Sequence, residues 1–125
     1  MCIEAYAAGI MDGDGSIQIQ EINRGSSYRF IVYLSGCERS PIDLLHSHWG
    51  GGITETVTQT GRPYFRWHIT SLKATKFLED ILPHLVGKAD QALLALKFQG
   101  TDRNLGRDWA MRESMRALTT RSRRQ

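Results

Sequence analysis

Residues Ala7-Ala8-Gly9-Ile10-Met11-Asp12-Gly13-Asp14-Gly15 read as the end of a small-residue helix that delivers two carboxylates onto a glycine turn. Ala5, Gly9 and Gly13 lie four apart, with Ala8 and Asp12 beside them. That spacing makes a narrow stripe on which another backbone can approach closely, by the logic that governs small-residue pairs in membranes. Two such helices side by side would bring both Asp14 side chains near one axis. Like charges several Å apart repel by on the order of a few kcal/mol at an intermediate dielectric. A hard divalent cation reverses that sign, because it takes carboxylate, carbonyl and water oxygens. Two plainer readings compete. An isolated Asp-Gly-Asp-Gly is most often only a turn. Asp12, Asp14, Gly15, Ile17 and Glu21 can also be set on positions 3, 5, 6, 8 and 12 of a calcium loop. Ile10 then stands at the first ligand position without an oxygen, and an alternating strand follows where a helix should leave.

Working outward, residues 3 to 12 carry Ile3, Tyr6, Ala7 and Ile10 near the helical period. Residues 16 to 23 alternate as a strand, with Ile17 and Ile19 on one face and Ser16, Gln18 and Gln20 on the other. Arg24-Gly25-Ser26-Ser27 reads as a hairpin turn. Residues 28 to 35 form the second strand, with Phe30, Val32 and Leu34 opposed to Arg29, Ile31, Tyr33 and Ser35. Ser40-Pro41 opens a short helix that runs to Trp49 and stops at Gly50-Gly51-Gly52. Residues 53 to 58 and 63 to 70 make a second hairpin around Gln59-Thr60-Gly61-Arg62. Ser71 is expected to cap a helix to about Leu82, Pro83 to break it, and Lys88 to Phe98 to form the next. A more polar helix over 101 to 118 closes the order α-β-β-α-β-β-α-α-α, an α+β domain.

Both hairpins leave one face polar but not uniformly charged: Gln18, Gln20, Arg29, Tyr33, Thr54, Thr56, Arg66 and His68. Such groups can read base edges or hold phosphates. A sheet with one wet face is the common alternative.

The 125 residues suit one domain, and 41% hydrophobic with 23% charged content is ordinary for a globular chain. No apolar run is long enough for a membrane span, and no signal peptide precedes the first helix, so a cytoplasmic location is expected. Two cysteines, Cys2 and Cys37, make no disulfide framework. The net charge of +3 permits a polyanionic partner without requiring one. Arg116, Arg121, Arg123 and Arg124 crowd the last ten residues, as a solvated tail or a phosphate-binding one. Two Cys and four scattered His make no zinc spacing, and no phosphate loop or nucleophile elbow occurs.

The run Tyr6 to Ile17, YAAGIMDGDGSI, resembles the LAGLIDADG homing endonuclease motif. The order of elements, the Trp49-Gly50-Gly51-Gly52-Ile53 step and the Leu82 to Ala92 segment, LPHLVGKADQA, are also similar to that family's single-motif members. The likeness covers roughly residues 3 to 98, with the helix and basic tail of 101 to 125 fitting less specifically. It implies an αββαββα fold whose four-stranded antiparallel sheet forms a DNA-binding saddle, with further helices at the C-terminus. Asp14 takes the place of the motif's last acid, which binds the catalytic metal, and the Gly13 carbonyl lies beside that metal. Asp12 supports the helix ends. Lys88 falls where the family places a basic residue near the scissile phosphate. A polar residue at the end of the second strand helps order the attacking water; Gly36, Cys37 and Glu38 compete for it, and only Glu38 can handle a proton. Ala7 stands where the motif usually has Leu.

With one motif, the chain is expected to pair as a homodimer through Ala5, Ala8, Gly9 and Asp12 of the first helix. The expected partner is double-stranded DNA, with no membrane and no small-molecule cofactor. Gln18, Gln20, Arg24, Arg29, Tyr33, Thr54, Thr56, Arg62, Arg66 and His68 form the expected DNA-facing set. An eight-residue strand spans roughly 26 Å, or about eight base pairs at ~3.4 Å each, so two halves imply a pseudo-palindromic site near ~20 base pairs. The implied reaction is Mg²⁺-dependent phosphodiester hydrolysis, with Mn²⁺ substituting and Ca²⁺ supporting binding without cleavage. An RNA maturase and a cleavage-inactive DNA-binding protein of the same fold are the alternatives.

Overall fold

The computed structural model describes residues 2–24, 26–100 and 104–123, the side chains of 121–123 excepted. The elements are α1 (Ile3–Asp14), β1 (Gly15–Ile22), β2 (Ser27–Gly36), α2 (Arg39–Trp49), β3 (Gly52–Val57), β4 (Pro63–Thr70), α3 (Ser71–Ile81), a 3-10 turn (Leu82–His84), α4 (Ala89–Gln99) and α5 (Leu105–Arg123). The four strands pair antiparallel in the order β1-β2-β4-β3. This is the α+β architecture that the two hairpins implied, with the four-stranded sheet that the family resemblance implied.

Alternation sets the two faces of the sheet. Ile17, Ile19, Tyr28, Phe30, Val32, Leu34, Phe65, Trp67 and Ile69 are buried. All five helices among the described residues touch strands, and their apolar stripes close that face. Trp49, Phe77 and Trp67 stack edge to face at 4.7 and 5.1 Å, geometry that adds to the area they bury. The buried Trp67 indole donates to the Gly50 carbonyl at 2.7 Å, so its polar atom is satisfied.

Register ranks the open face in rows. Ser16 lies opposite Tyr33, which lies opposite His68, which lies opposite Gly52. Ser35 lies opposite Arg66, and Arg66 opposite Thr54. The two hairpin tips fall at opposite ends of the sheet, because β2 and β4 run antiparallel.

Four local expectations are corrected. Tyr6 is 38% exposed; α1 buries Ala7, Ala8 and Met11, because its core face lies one residue further round the helix. Ser71 is the first residue of α3 and makes no cap; it sits at φ 59°, and its carbonyl accepts from the Thr75 hydroxyl. The first hairpin turns on Asn23 and Arg24, both left-handed at φ 52° and 57°. The last helix begins at Leu105 among the described residues; 101–103 lie outside them. The basic tail, with Arg124 and the side chains of Arg121 and Arg123, also lies outside. Among the described residues, no helix is long and apolar enough to cross a membrane.

Candidate functional site

The two acids of the turn do different work. The Asp12 carboxylate accepts the backbone N–H groups of Val86 and Lys88, at 2.8 Å on Oδ2 and 2.9 Å on Oδ1. Lys88 is the N-cap residue of α4. An aspartate on α1 thus satisfies free N–H groups at the start of a distant helix, where its charge also suits the helix dipole. The lysine returns the contact: its Nζ donates to the Asp12 carbonyl at 2.8 Å. Two hydrogen bonds from Lys88 and one from Val86 therefore fix this segment against the end of α1. Burial pushes the Lys88 ammonium below the ordinary lysine value, against the opposing pull of Asp12 and Asp14.

Asp14 is exposed, with Gly13 exposed beside it. Both line a cleft of about 630 Å³ together with Lys88, Gln91 and Thr119 on one side and Tyr33, Ser35, Tyr64 and Arg66 of the sheet on the other. The cleft joins the carboxylate turn to the polar face. Asp14 also borders a second hollow of about 310 Å³, lined by Tyr6, Ile10, Gly36, Cys37 and Glu38. Glu38 is the exposed N-cap residue of α2 and does not line the Lys88 cleft.

The polar face holds Gln18, Gln20, Arg29, Tyr33, Thr54, Thr56, Arg66 and His68, as their cross-strand partners require. Arg24 lies at the tip of the first hairpin and Arg62 in the loop before β4. Several of these side chains are held before any ligand arrives. Gln18 Nε2 donates to Tyr33 Oη at 2.9 Å and to Ser16 Oγ at 3.3 Å. The Arg66 guanidinium lies 4.5 Å from the Tyr33 ring centre and donates through Nε to Ser35 Oγ at 3.0 Å. Ser16, Ser35 and Tyr64 thus join the face; the alternation pointed them outward, but only register shows what they hold.

On α1, Ala8 is 0% exposed and belongs to the chain's own core, so it is not available to a partner helix. Asp12 is half-buried and bonded within the chain. Ala5, Gly9 and Gly13 are exposed. Beyond its own turn of helix, a methyl group added at Gly9 or Gly13 would meet nothing within 4 Å. The free stripe is therefore Ala5, Gly9 and Gly13, flanked by Tyr6.

No protein-family model and no curated protein matches the sequence. Solved structures do. The homing endonuclease I-CvuI, in complex with the I-CreI target in 2 mM Mg with the DNA not cleaved, aligns at TM-score 0.77 and 22% identity over 93% of this chain and 81% of that chain. The same protein with its own target in 2 mM Ca aligns at 0.78. The archaeal intron-encoded homing endonuclease I-Vdi141I, complexed with DNA, aligns at 0.61 and 14% identity over 92% of this chain and 97% of that one. The LAGLIDADG homing endonuclease I-SmaMI, bound to cleaved DNA, aligns at 0.63 and 18% identity over 90% of this chain but 43% of that one. The chain has the LAGLIDADG homing endonuclease fold.

Proposed function

We propose that this protein is a homodimeric LAGLIDADG homing endonuclease, hydrolysing both strands of a long pseudo-palindromic DNA site with a divalent metal. The observation that carries the reading is the meeting of Asp14 and Lys88 in one cleft that opens onto the polar sheet face. An anion that holds a cation, a cation for phosphate, and a reading surface are then contiguous.

The donor set suits Mg²⁺. Asp14 offers a free carboxylate and Gly13 a carbonyl, both hard oxygen donors. Among the described residues, no three His, Cys, Asp or Glu side chains gather as a metal cage. One chain thus supplies a partial site, and a second Asp14 with phosphate oxygens would complete it. The exposed Gly9 and Gly13 support that pairing, since nothing in their own chain requires a glycine there. When bound, the metal supplies activation of water and neutralisation of the leaving oxygen. Mn²⁺ is expected to replace Mg²⁺, and Ca²⁺ to support binding without cleavage.

The chain's own residues do the rest. Asp12 seats Lys88, and the Lys88 ammonium stabilises negative charge developing on the phosphate. Arg66 suits guanine, and Gln18 and Gln20 suit adenine. The remaining polar positions and the tip arginines Arg24 and Arg62 suit phosphates and base edges.

The test compares cleavage with binding. Asp14→Asn is expected to abolish nicking of DNA in Mg²⁺ while binding in Ca²⁺ persists. Lys88→Met is expected to slow cleavage far more than it weakens binding. Full nicking by Asp14→Asn would remove the assignment.

A further inference from the structure

Tyr33 stands on β2 between Ser16 of β1 and His68 of β4. Long side chains reach it diagonally from both neighbouring strands, as the spacing of an antiparallel sheet allows. Gln18 comes from the row of Ile31, and its Nε2 donates to the Tyr33 hydroxyl at 2.9 Å. Arg66 comes from the row of Ser35, and its guanidinium lies 4.5 Å from the Tyr33 ring centre. One tyrosine thus holds one side chain by its hydroxyl and another by its ring. A serine backs each contact: Ser16 Oγ accepts from Gln18 Nε2 at 3.3 Å, and Ser35 Oγ from Arg66 Nε at 3.0 Å. Arg66 Nη1 and Nη2 make no hydrogen bond to a described residue, so the fork that matches guanine O6 and N7 stays open. The Ile31 and Ser35 rows are roughly 13 Å apart along the strand, so the two side chains meet different base pairs, spaced ~3.4 Å. A free glutamine or arginine loses rotamer freedom on binding, and one already held loses less. Tyr33, Ser35 and Arg66 also line the cleft of Asp14 and Lys88, where the polar face meets the candidate cutting centre.

Resting on the endonuclease reading above, we propose that Tyr33 is a positioning residue that sets base preference through Gln18 and Arg66 and reads no base itself. The two parts of its side chain act separately. The hydroxyl sets Gln18, and the ring sets Arg66. Preference at two base pairs beside the cutting centre therefore depends on one residue that contacts neither.

The experiment selects bound sequences from a randomised DNA pool in Ca²⁺. It measures base preference at each position, affinity for the wild-type consensus and thermal unfolding. Gln18→Ala and Arg66→Ala mark the base pair that each side chain governs. Tyr33→Phe keeps the ring and loses the hydroxyl. It is expected to relax preference at the Gln18 pair about fivefold or more, the lower end for one base contact, and to leave the Arg66 pair unchanged. Tyr33→Leu should relax both pairs. In a Gln18→Ala background, Tyr33→Phe should change nothing further at the Gln18 pair, because it acts through that side chain. Affinity should fall roughly two- to tenfold in Tyr33→Phe, since one long side chain must now be ordered on binding, with the unfolding midpoint unchanged. Unaltered preference at the Gln18 pair in Tyr33→Phe overturns the inference. So does a change at a third base pair, which would make Tyr33 a reader itself, and so does an Arg66 pair left intact by Tyr33→Leu. If Tyr33→Leu does not fold, Tyr33→Phe decides alone. A wild-type protein that selects a consensus and does not cut it in Mg²⁺ overturns the endonuclease reading and leaves this inference to its own test; one that selects no sequence overturns both.

Discussion

The chain passes from helix through glycine into strand twice, and the two passages differ. At the end of α2, the glycines serve the chain itself. Gly50 and Gly51 lie at φ 80° and 91°. A Cβ on Gly51 would run into the His68 carbonyl, and one on Gly52 would lie 2.7 Å from the His68 ring. Trp49 closes the passage by donating from its indole to Asp80 at 2.9 Å. At the end of α1, Gly15 is likewise required, since its Cβ would meet the Met11 backbone at 2.8 Å. Gly9 and Gly13 are not. They sit in a helix, where glycine is less stable than alanine by roughly 0.5–1 kcal/mol, and face open space. One passage is shaped wholly by its own fold. The other retains small residues and a free carboxylate that its fold does not use.

Substitutions test whether the two passages differ in this way. The largest expected effect is on Gly51→Ala, which combines a left-handed backbone with a clash against backbone. A loss of about 2–3 kcal/mol is expected, read as a lowered denaturant midpoint; no change would mean that this glycine is as dispensable as Gly9. Asp12→Ala comes next. Removing the acceptor of two N–H groups at a helix start should cost about 1–2 kcal/mol. It should also slow cleavage, because Lys88 loses its seat, whereas a loss of stability with an unaltered rate would separate the clamp from the chemistry. Gly9→Ala reverses the sign: the single chain should gain about 0.5–1 kcal/mol while self-association weakens. Sedimentation shows the latter, and an undiminished dimer would take the stripe out of the interface. The smallest effect concerns Asp80, held below the ordinary carboxylate range by the Lys76 ammonium and the Trp49 indole. A carboxylate with a depressed folded pKa stabilises above its unfolded value and loses that contribution as pH falls through the folded one. Asp80→Asn should therefore flatten the acid limb of stability slightly, in a urea titration run from neutral to low pH.

Much of this was legible in the residues. Alternation in β1, β2 and β4 fixed which side chains face the core, because a half-buried strand leaves that pattern directly. Asp14 and Lys88 were singled out through the family resemblance, and the structure brings both to one cleft. Contacts across elements were not. That Asp12 caps α4 depends on where two distant helices end, and that Tyr33 carries both Gln18 and Arg66 depends on strand register. Ala8 misled because it lies beside the Ala5, Gly9 and Gly13 stripe and is as small, and only the packed core shows that it faces inward.

In the proposed function, two copies of the α1 passage, each with one Asp14, form a single DNA-cleaving centre. The most direct measurement incubates the protein with a randomised DNA library in Mg²⁺ and sequences the cleaved ends. Cuts are expected within a two-fold symmetric consensus of roughly 20 base pairs, about two strand lengths of DNA. The same cuts should be absent with Asp14→Asn. Cleaved ends no more frequent than in that variant, or a consensus without two-fold symmetry, would contradict it.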